Sequence, residues 1–295
     1  MHTEKQKVEP GSRRHKGMMW DAWRRMRRNK AAMIGLVIVV LLVLLAIFAD
    51  VLYDYDDVVI KIDYSQRAQA PSAAHPFGTD DQGRDILARV VHGTRISLFI
   101  GAVASIISAL FGTALGAISG YFGKTLDMVI SRIMDMLLAI PGTLLAIAIV
   151  AVLGSSMQNL IIAMTVSSVP KFARFVRGSV LTVKDVEYVE AARAIGAKDS
   201  SIIVRHILPN CMGVLLVQIT LNVSYTILSI SGLSFLGLGI AAPTPEWGSM
   251  LSSARTFIRD YSYMTFFPGL AIMVTILAFN LLGDGLRDAL DPRLK

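Results

Sequence analysis

The side chains able to do covalent or metal chemistry are few and scattered. The five histidines, His2, His15, His75, His92 and His206, form neither an HExxH pair nor any other metal-ligand spacing. The single cysteine, Cys211, excludes an internal disulfide and any CxxC site. His206 with Cys211 is the one nucleophile–base pairing available, and its place across Pro209 at the edge of an apolar run argues against catalysis. There is no GxSxG elbow. Asp80, Asp81 and Asp85 cluster, but without the D-x-D-x-D-G spacing or the distal Glu of a calcium loop, so helix capping and solvated charge are the expected roles. Gly120-Tyr121-Phe122-Gly123-Lys124-Thr125 imitates the end of a phosphate-binding loop. The full pattern needs Gly where Ile118 stands, and a preceding strand. No nucleotide, metal or cofactor site is therefore expected on this chain.

The elements that hold these residues are apolar. The chain of 295 residues is 54% hydrophobic and 17% charged, against about 25% charged for soluble domains. Residues 31–49, 96–123, 136–170, 207–245 and 261–283 contain no Asp, Glu, Lys or Arg. A bilayer core of about 30 Å needs roughly 20 apolar helical residues. The first, second and fifth runs hold one span each. The third holds two, broken at 154–159, and the fourth holds one before a Gly-rich tail. The expected fold class is an all-α polytopic membrane protein with six transmembrane helices.

Charge placement orients it. Residues 1–30 carry ten Lys/Arg against three acids, which puts the N-terminus inside. Residues 50–95 carry eight Asp against five basic residues, and 171–205 carry seven Lys/Arg. Both termini and the loop at 185–210 are expected inside, and residues 50–94 outside. The net charge of +7 thus serves topology, not nucleic acid. The expected organisation is a basic tail with an amphipathic helix (1–30), a first span with an outer segment (31–94), a core with inner helices at 185–209 (95–285) and an inner tail (286–295).

Along the chain, Met18, Met19, Trp20, Trp23 and Met26 form the lipid side of the amphipathic helix. The first apolar run is read as a retained anchor. Thr79 or Asp80 is expected to cap a helix with Ile86, Leu87, Val90 and Val91 on one side. Gly101, Ser105, Ser108, Gly112, Gly116 and Gly120 let another helix approach the second span. Pro141-Gly142 is expected to kink the third span (about 130–153), and Pro170 lies near the inner end of the fourth (about 160–176). After the fifth span, Pro243-Thr244-Pro245-Glu246-Trp247-Gly248 reads as a short outer re-entrant or surface segment with Trp247 at the interface. The sixth span is expected to stop at Gly283-Asp284-Gly285. No ionisable residue is expected inside the spans, which disfavours coupling by an intramembrane acid.

The polar island at 185–210, DVEYVEAARAIGAKDSSIIVRHILPN, reads as two short helices. Asp185 is expected to cap the first and Gly196 to end it. Asp199 or Ser200 is expected to cap the second, with Pro209 breaking into the fifth span. Glu190-Ala191-Ala192, Gly196 and Leu208-Pro209 resemble the EAA motif (EAA-x3-G-x9-I-x-L-P) of permease subunits in ABC importers, with His206 in place of Ile. HPFGTDDQGRDILARVVHGTRISL, PTPEWGSML and FNLLGDGLRDALDPRLK extend the resemblance to the C-type permeases of dipeptide and oligopeptide importers, from about Trp20 onward.

That resemblance implies a type I importer permease in the bacterial cytoplasmic (inner) membrane, not itself an enzyme. It implies a homologous second permease, cytoplasmic ATPases carrying the ATP and Mg, and an extracytoplasmic binding protein. Glu190, Ala191, Ala192, Gly196, Leu208 and Pro209 become ATPase-coupling positions. The alternative cargoes are nickel or glutathione. A membrane sensor or scaffold without transport is the reading from a different class.

Overall fold

The long uncharged runs become helices because a backbone in lipid finds hydrogen-bond partners only within itself. The computed structural model describes residues 23–290. Among these residues, structure beyond helices, turns and loops is confined to one isolated bridge between Thr79 and Asp85. In chain order the main helices are α1 (Lys30–Ile47), α2 (Ile86–Phe122), α3 (Lys124–Ala139), α4 (Gly142–Leu153), α5 (Met157–Val183), α6 (Glu187–Ala194), α7 (Asp199–Ile202), α8 (Leu208–Phe235), α9 (Trp247–Ala254) and α10 (Tyr263–Leu290).

Four helical stretches among the described residues are long and apolar enough to cross a membrane: α1, α2, α10 and the run from Asp199 to Phe235. The bent pair α3–α4 makes a fifth if it crosses as one broken span. The kink expected at Pro141-Gly142 is an 86° bend. It separates an amphipathic α3 from an apolar α4, since Pro141 leaves the helical path and α4 restarts after it. The remaining expected span, α5, has 27 residues, about 40 Å at 1.5 Å per residue. Its second half carries Lys171, Arg174 and Arg177, and Pro170 lies mid-helix instead of near an end.

Helix ends sort to two opposite ends of the bundle. At one end Asn29 reaches Asp288 (3.5 Å) and Tyr121 reaches Asp199 (2.6 Å). At the other, Arg95 bonds Asp50 (2.8 Å), Trp247 bonds the Val90 carbonyl (3.0 Å) and Arg89 reaches the Pro243 carbonyl (3.3 Å). The first end carries the island, and the second carries the segment 50–85 with the 236–246 loop.

Small residues set how closely the helices pack, as lipid-embedded helices require. Gly112, Gly116 and Gly120 of α2 face Phe172, Ala173, Val176 and Val180 of α5, where an added Cβ would overlap the neighbour. Gly101 faces Ile227 of α8, and Ser105 accepts from Asn222 at 3.0 Å. Gly283 and Gly285 do not stop the last helix. α10 runs on to Leu290, and the two glycines let it press against Leu221 of α8 and Ala32 of α1. Residues 286–290 of the segment expected as a separate tail are thus the end of α10, and 291–295 lie outside the described residues.

Other caps also differ from expectation. Asp85, not Thr79 or Asp80, caps α2, accepting from the Ala88 amide at 2.9 Å. Its second oxygen meets His75 Nδ1 at 2.7 Å, while Thr79 bonds the Gln66 carbonyl and Asp80 pairs with Arg84. Trp247 is not at an interface but fully buried. Gly237, with φ of +84°, turns the chain back after α8, and Glu246 caps α9 through the Gly248 and Ser249 amides, both at 2.8 Å. That tucks Trp247 against Gly93 of α2. Of the amphipathic N-terminal stretch, Met18, Met19 and Trp20 lie outside the described residues. Met26 is 5% exposed and packs with Ala32, Leu282 and Ala289, so it faces protein and not lipid.

Candidate functional site

The island is an α-helix, a left-handed glycine and a second helical segment, anchored on one side and bare on the other. α6 begins without a side-chain cap: Val186 occupies the cap position, and Asp185 does not serve. Val189 and Ala192, three residues apart on one face, are buried at 0% and 6% exposure. They join Phe172, Val176 and Val180 of α5 and Cys211 and Leu215 of α8 in one apolar cluster. Cys211 is thus a packing group.

Gly196 ends the first helix, as expected, at φ of +80° with open space around it. A left-handed residue carrying a Cβ costs roughly 1–2 kcal/mol. The glycine therefore secures a sharp reversal at an exposed apex. The next helix, α7, has Lys198 at its cap position and no side-chain cap, so neither Asp199 nor Ser200 caps it. The Asp199 carboxylate instead accepts from the Tyr121 hydroxyl at the end of α2.

Pro209 does not break the chain between island and α8. A π-type turn, Ile203–Ile207, joins α7 to α8, and Pro209 occupies the first turn of α8 directly after it. The island thus continues directly into the apolar helix. Ile202 and Ile207, both fully buried, hold this join in the same cluster.

The opposite face is open. Glu190, Ala191, Gly196 and Pro209 are exposed, Leu208 is half-buried and Ala192 faces inward. Around them Val186, Tyr188 and Val204 are exposed, and Ile195 at the apex is 85% exposed. The exposed side is thus a short knob with apolar residues at its apex and a thin alanine flank. Burial, with a contribution from Cys211, holds the Tyr188 phenol above its ordinary pKa.

Sequence reasoning missed the anchors from outside the island. Tyr121 sits in the phosphate-loop imitation, where Gly123 with φ of +63° simply joins α2 to α3. Arg193 lies 5.7 Å from the Tyr121 ring centroid. Asp127 accepts two bonds from Arg177, at 2.5 and 2.7 Å, beside this join. Lys171 contradicts the expectation of charge-free spans: it sits midway along α5, 4.0 Å from the Tyr225 ring centroid. The aromatic face offers the ammonium a partner.

The described residues thus form a bundle of long helices packed at glycines, with a two-sided knob at one end. Residues 112–295 match the family of binding-protein-dependent transport system inner membrane components, and the chain belongs to that family. It is a multi-pass membrane protein. Residues 17–71 match the N-terminal TM domain of oligopeptide transport permease C.

Among curated relatives, the dipeptide transport system permease protein DppC of Alkalihalophilus pseudofirmus is 49% identical over 275 residues, 93% of this chain and 90% of that one. The glutathione transport system permease protein GsiD of Pectobacterium atrosepticum is 46% identical over 273 residues, 92% of this chain and 90% of that one. The protein of the same name from Escherichia coli O157:H7 is 50% identical over the same shares. Among solved structures, the MetNI methionine ABC transporter in inward-facing conformations superposes with a TM-score of 0.57 at 18% identity, over 69% of this chain and 97% of that one. An amino acid ABC transporter gives 0.52 at 16% identity, over 67% of this chain and 92% of that one. These structures share the fold.

Proposed function

We propose that this chain is the permease subunit of an ATP-driven importer of dipeptides and oligopeptides in the bacterial inner membrane. The single observation that carries the coupling is the island's two-sidedness: Val189, Ala192, Ile202 and Ile207 lock it to three long helices while Glu190, Ala191, Ile195 and Gly196 face outward. A cytoplasmic ATPase that grips the exposed side would move α2, α5 and α8 together. ATP and Mg would be bound by that partner.

In this reading six segments cross the membrane, α1, α2, α3–α4, α5, α8 and α10, with both termini on the cytoplasmic side. The excess of Lys/Arg at residues 1–30 and 171–205 supports that orientation. The remaining partners are a second, homologous permease and an extracytoplasmic binding protein. Glu190, Ala191, Gly196, Leu208 and Pro209 form or border the coupling surface, and Ala192 acts from beneath it by close packing.

The glutathione permeases at similar identity favour one second reading, the same machine with glutathione as cargo. Reconstitution with the ATPases and binding protein tests both. ATP-dependent accumulation of a labelled dipeptide, resistant to excess glutathione, supports the first reading. Accumulation of glutathione alone supports the second, and accumulation of neither rejects both.

A further inference from the structure

A cavity of about 230 Å³ opens at the end of the bundle opposite the island, lined by Arg84, Arg89, Ser155, the loop Gly237–Thr244 and Ser249, Ser252 and Ser253 of α9. Ser155 precedes α5 and Gly237 follows α8. The cavity therefore sits over the outer ends of two of the helices that the island holds at the other end.

Two arginines line it. Arg84 and Arg89 are each 4% exposed, so water does little to screen them. One carboxylate serves both: Asp80 Oδ2 lies 2.7 Å from Arg84 Nε and 3.6 Å from Arg89 Nε. Arg89 spends a further nitrogen on the Val59 and Pro243 carbonyls, at 3.0 and 3.3 Å. Arg84 Nη1 is buried with no acceptor. Asp81 lines the small void beside Arg84; burial and the charge of Asp80 raise its pKa, while the charge of Arg84 lowers it. A buried guanidinium nitrogen left unpaired is costly, and native proteins keep few such groups.

We propose that this cavity binds a carboxylate, and that it is the C-terminal carboxylate of the cargo peptide as it enters from the binding protein. A planar guanidinium fork matches a carboxylate in geometry as well as charge. The volume is below the roughly 300–1,000 Å³ of pockets that enclose a drug-sized ligand, so it suits a chain terminus and not a whole peptide. The assignment rests on the peptide-import reading above.

The test is ATP-driven uptake of labelled dialanine and of its C-terminal amide by the complete transporter in proteoliposomes. Arg84→Gln is expected to lower dialanine uptake roughly tenfold, the scale of one charge-assisted hydrogen bond, while amide uptake stays within twofold. Any preference imposed by the binding protein is common to both transporters and cancels in the comparison. Should the single variant misassemble, Arg84→Lys keeps a cation beside Asp80 while removing the guanidinium fork, and binding-protein-stimulated ATPase activity reports its folding; the same narrowing of the acid-to-amide ratio is expected. An unchanged ratio in a folded variant overturns the inference while peptide import stands, whether uptake is normal or both substrates fall together, as they would if the cavity held a carboxylate of the binding protein. Absence of uptake of either substrate by the wild type defeats the peptide reading, and the carboxylate assignment with it.

Discussion

The Tyr121 hydroxyl donates to Asp199 at 2.6 Å, so the last turn of α2 is tied to the first residue of α7 across 78 positions of sequence. With Arg193 5.7 Å from the centroid of the same ring, a displacement of the island would pull on α2. The bond is exposed, so its net worth in stability is about 1 kcal/mol or less. Tyr121→Phe is therefore expected to leave assembly intact and lower the cargo moved per ATP hydrolysed. Parallel measurement of uptake and hydrolysis checks this; an unchanged ratio removes Tyr121 from the coupling path.

Gly112 presses on Phe172 and Ala173 with no room for a side chain. Gly112→Val must push α2 and α5 apart, and overpacking of this kind costs typically about 1–3 kcal/mol. A lower thermal midpoint in detergent is expected. Gly178, with nothing within 4 Å of an added Cβ, is the control, and Gly178→Ala is expected to have little effect.

Trp247 is 0% exposed and spends its indole N–H on the Val90 carbonyl. Trp247→Ala is expected to destabilise by about 3–5 kcal/mol through the cavity it leaves, and to free α9 from α2. Trp247→Phe, which keeps most of the volume but orphans the hydrogen bond, is expected to fall between. Hydrogen exchange of the α9 amides reads both.

Asp127 and Arg177 form a two-bond pair whose side chains are 21% and 35% exposed. Because the pair is half-buried, removing either partner leaves a charge that water only partly recovers. Asp127→Asn and Arg177→Gln are each expected to cost more than half of the double change, with a coupling of about 1 kcal/mol in a double-mutant cycle. Additive effects would mean that the pair contributes nothing.

Much of this architecture was legible because lipid imposes simple patterns. Uncharged runs located the apolar helices, Pro141-Gly142 located the bend, and glycines at every fourth position marked the α2–α5 contact. Gly196 announced a left-handed apex, and the structure has it there. The failures share a cause, which is that tertiary contacts overrode local signals. Gly283 and Gly285 read as a stop, yet they are points of contact inside a continuous helix. Pro209 read as a break, but a π turn absorbs it. Asp185 and Thr79 are good capping types, yet Val186 and Asp85 hold those positions because neighbouring segments dictate the backbone there. Trp247 read as an interfacial anchor, since nothing local reveals that its loop folds inward. Lys171 beside Tyr225 is a pairing across the fold that spacing along the chain does not announce.

The central claim is that outside power enters through the exposed face of the island, and Gly196 is where it is most directly tested. Gly196→Asp adds a side chain in open space at φ of +80°, at a local backbone cost of roughly 1–2 kcal/mol borne at an exposed apex and not in the contacts between the long helices. The account predicts normal membrane insertion with loss of cargo uptake and of binding-protein-stimulated ATPase activity. Unchanged uptake and unchanged stimulation in that variant would contradict it.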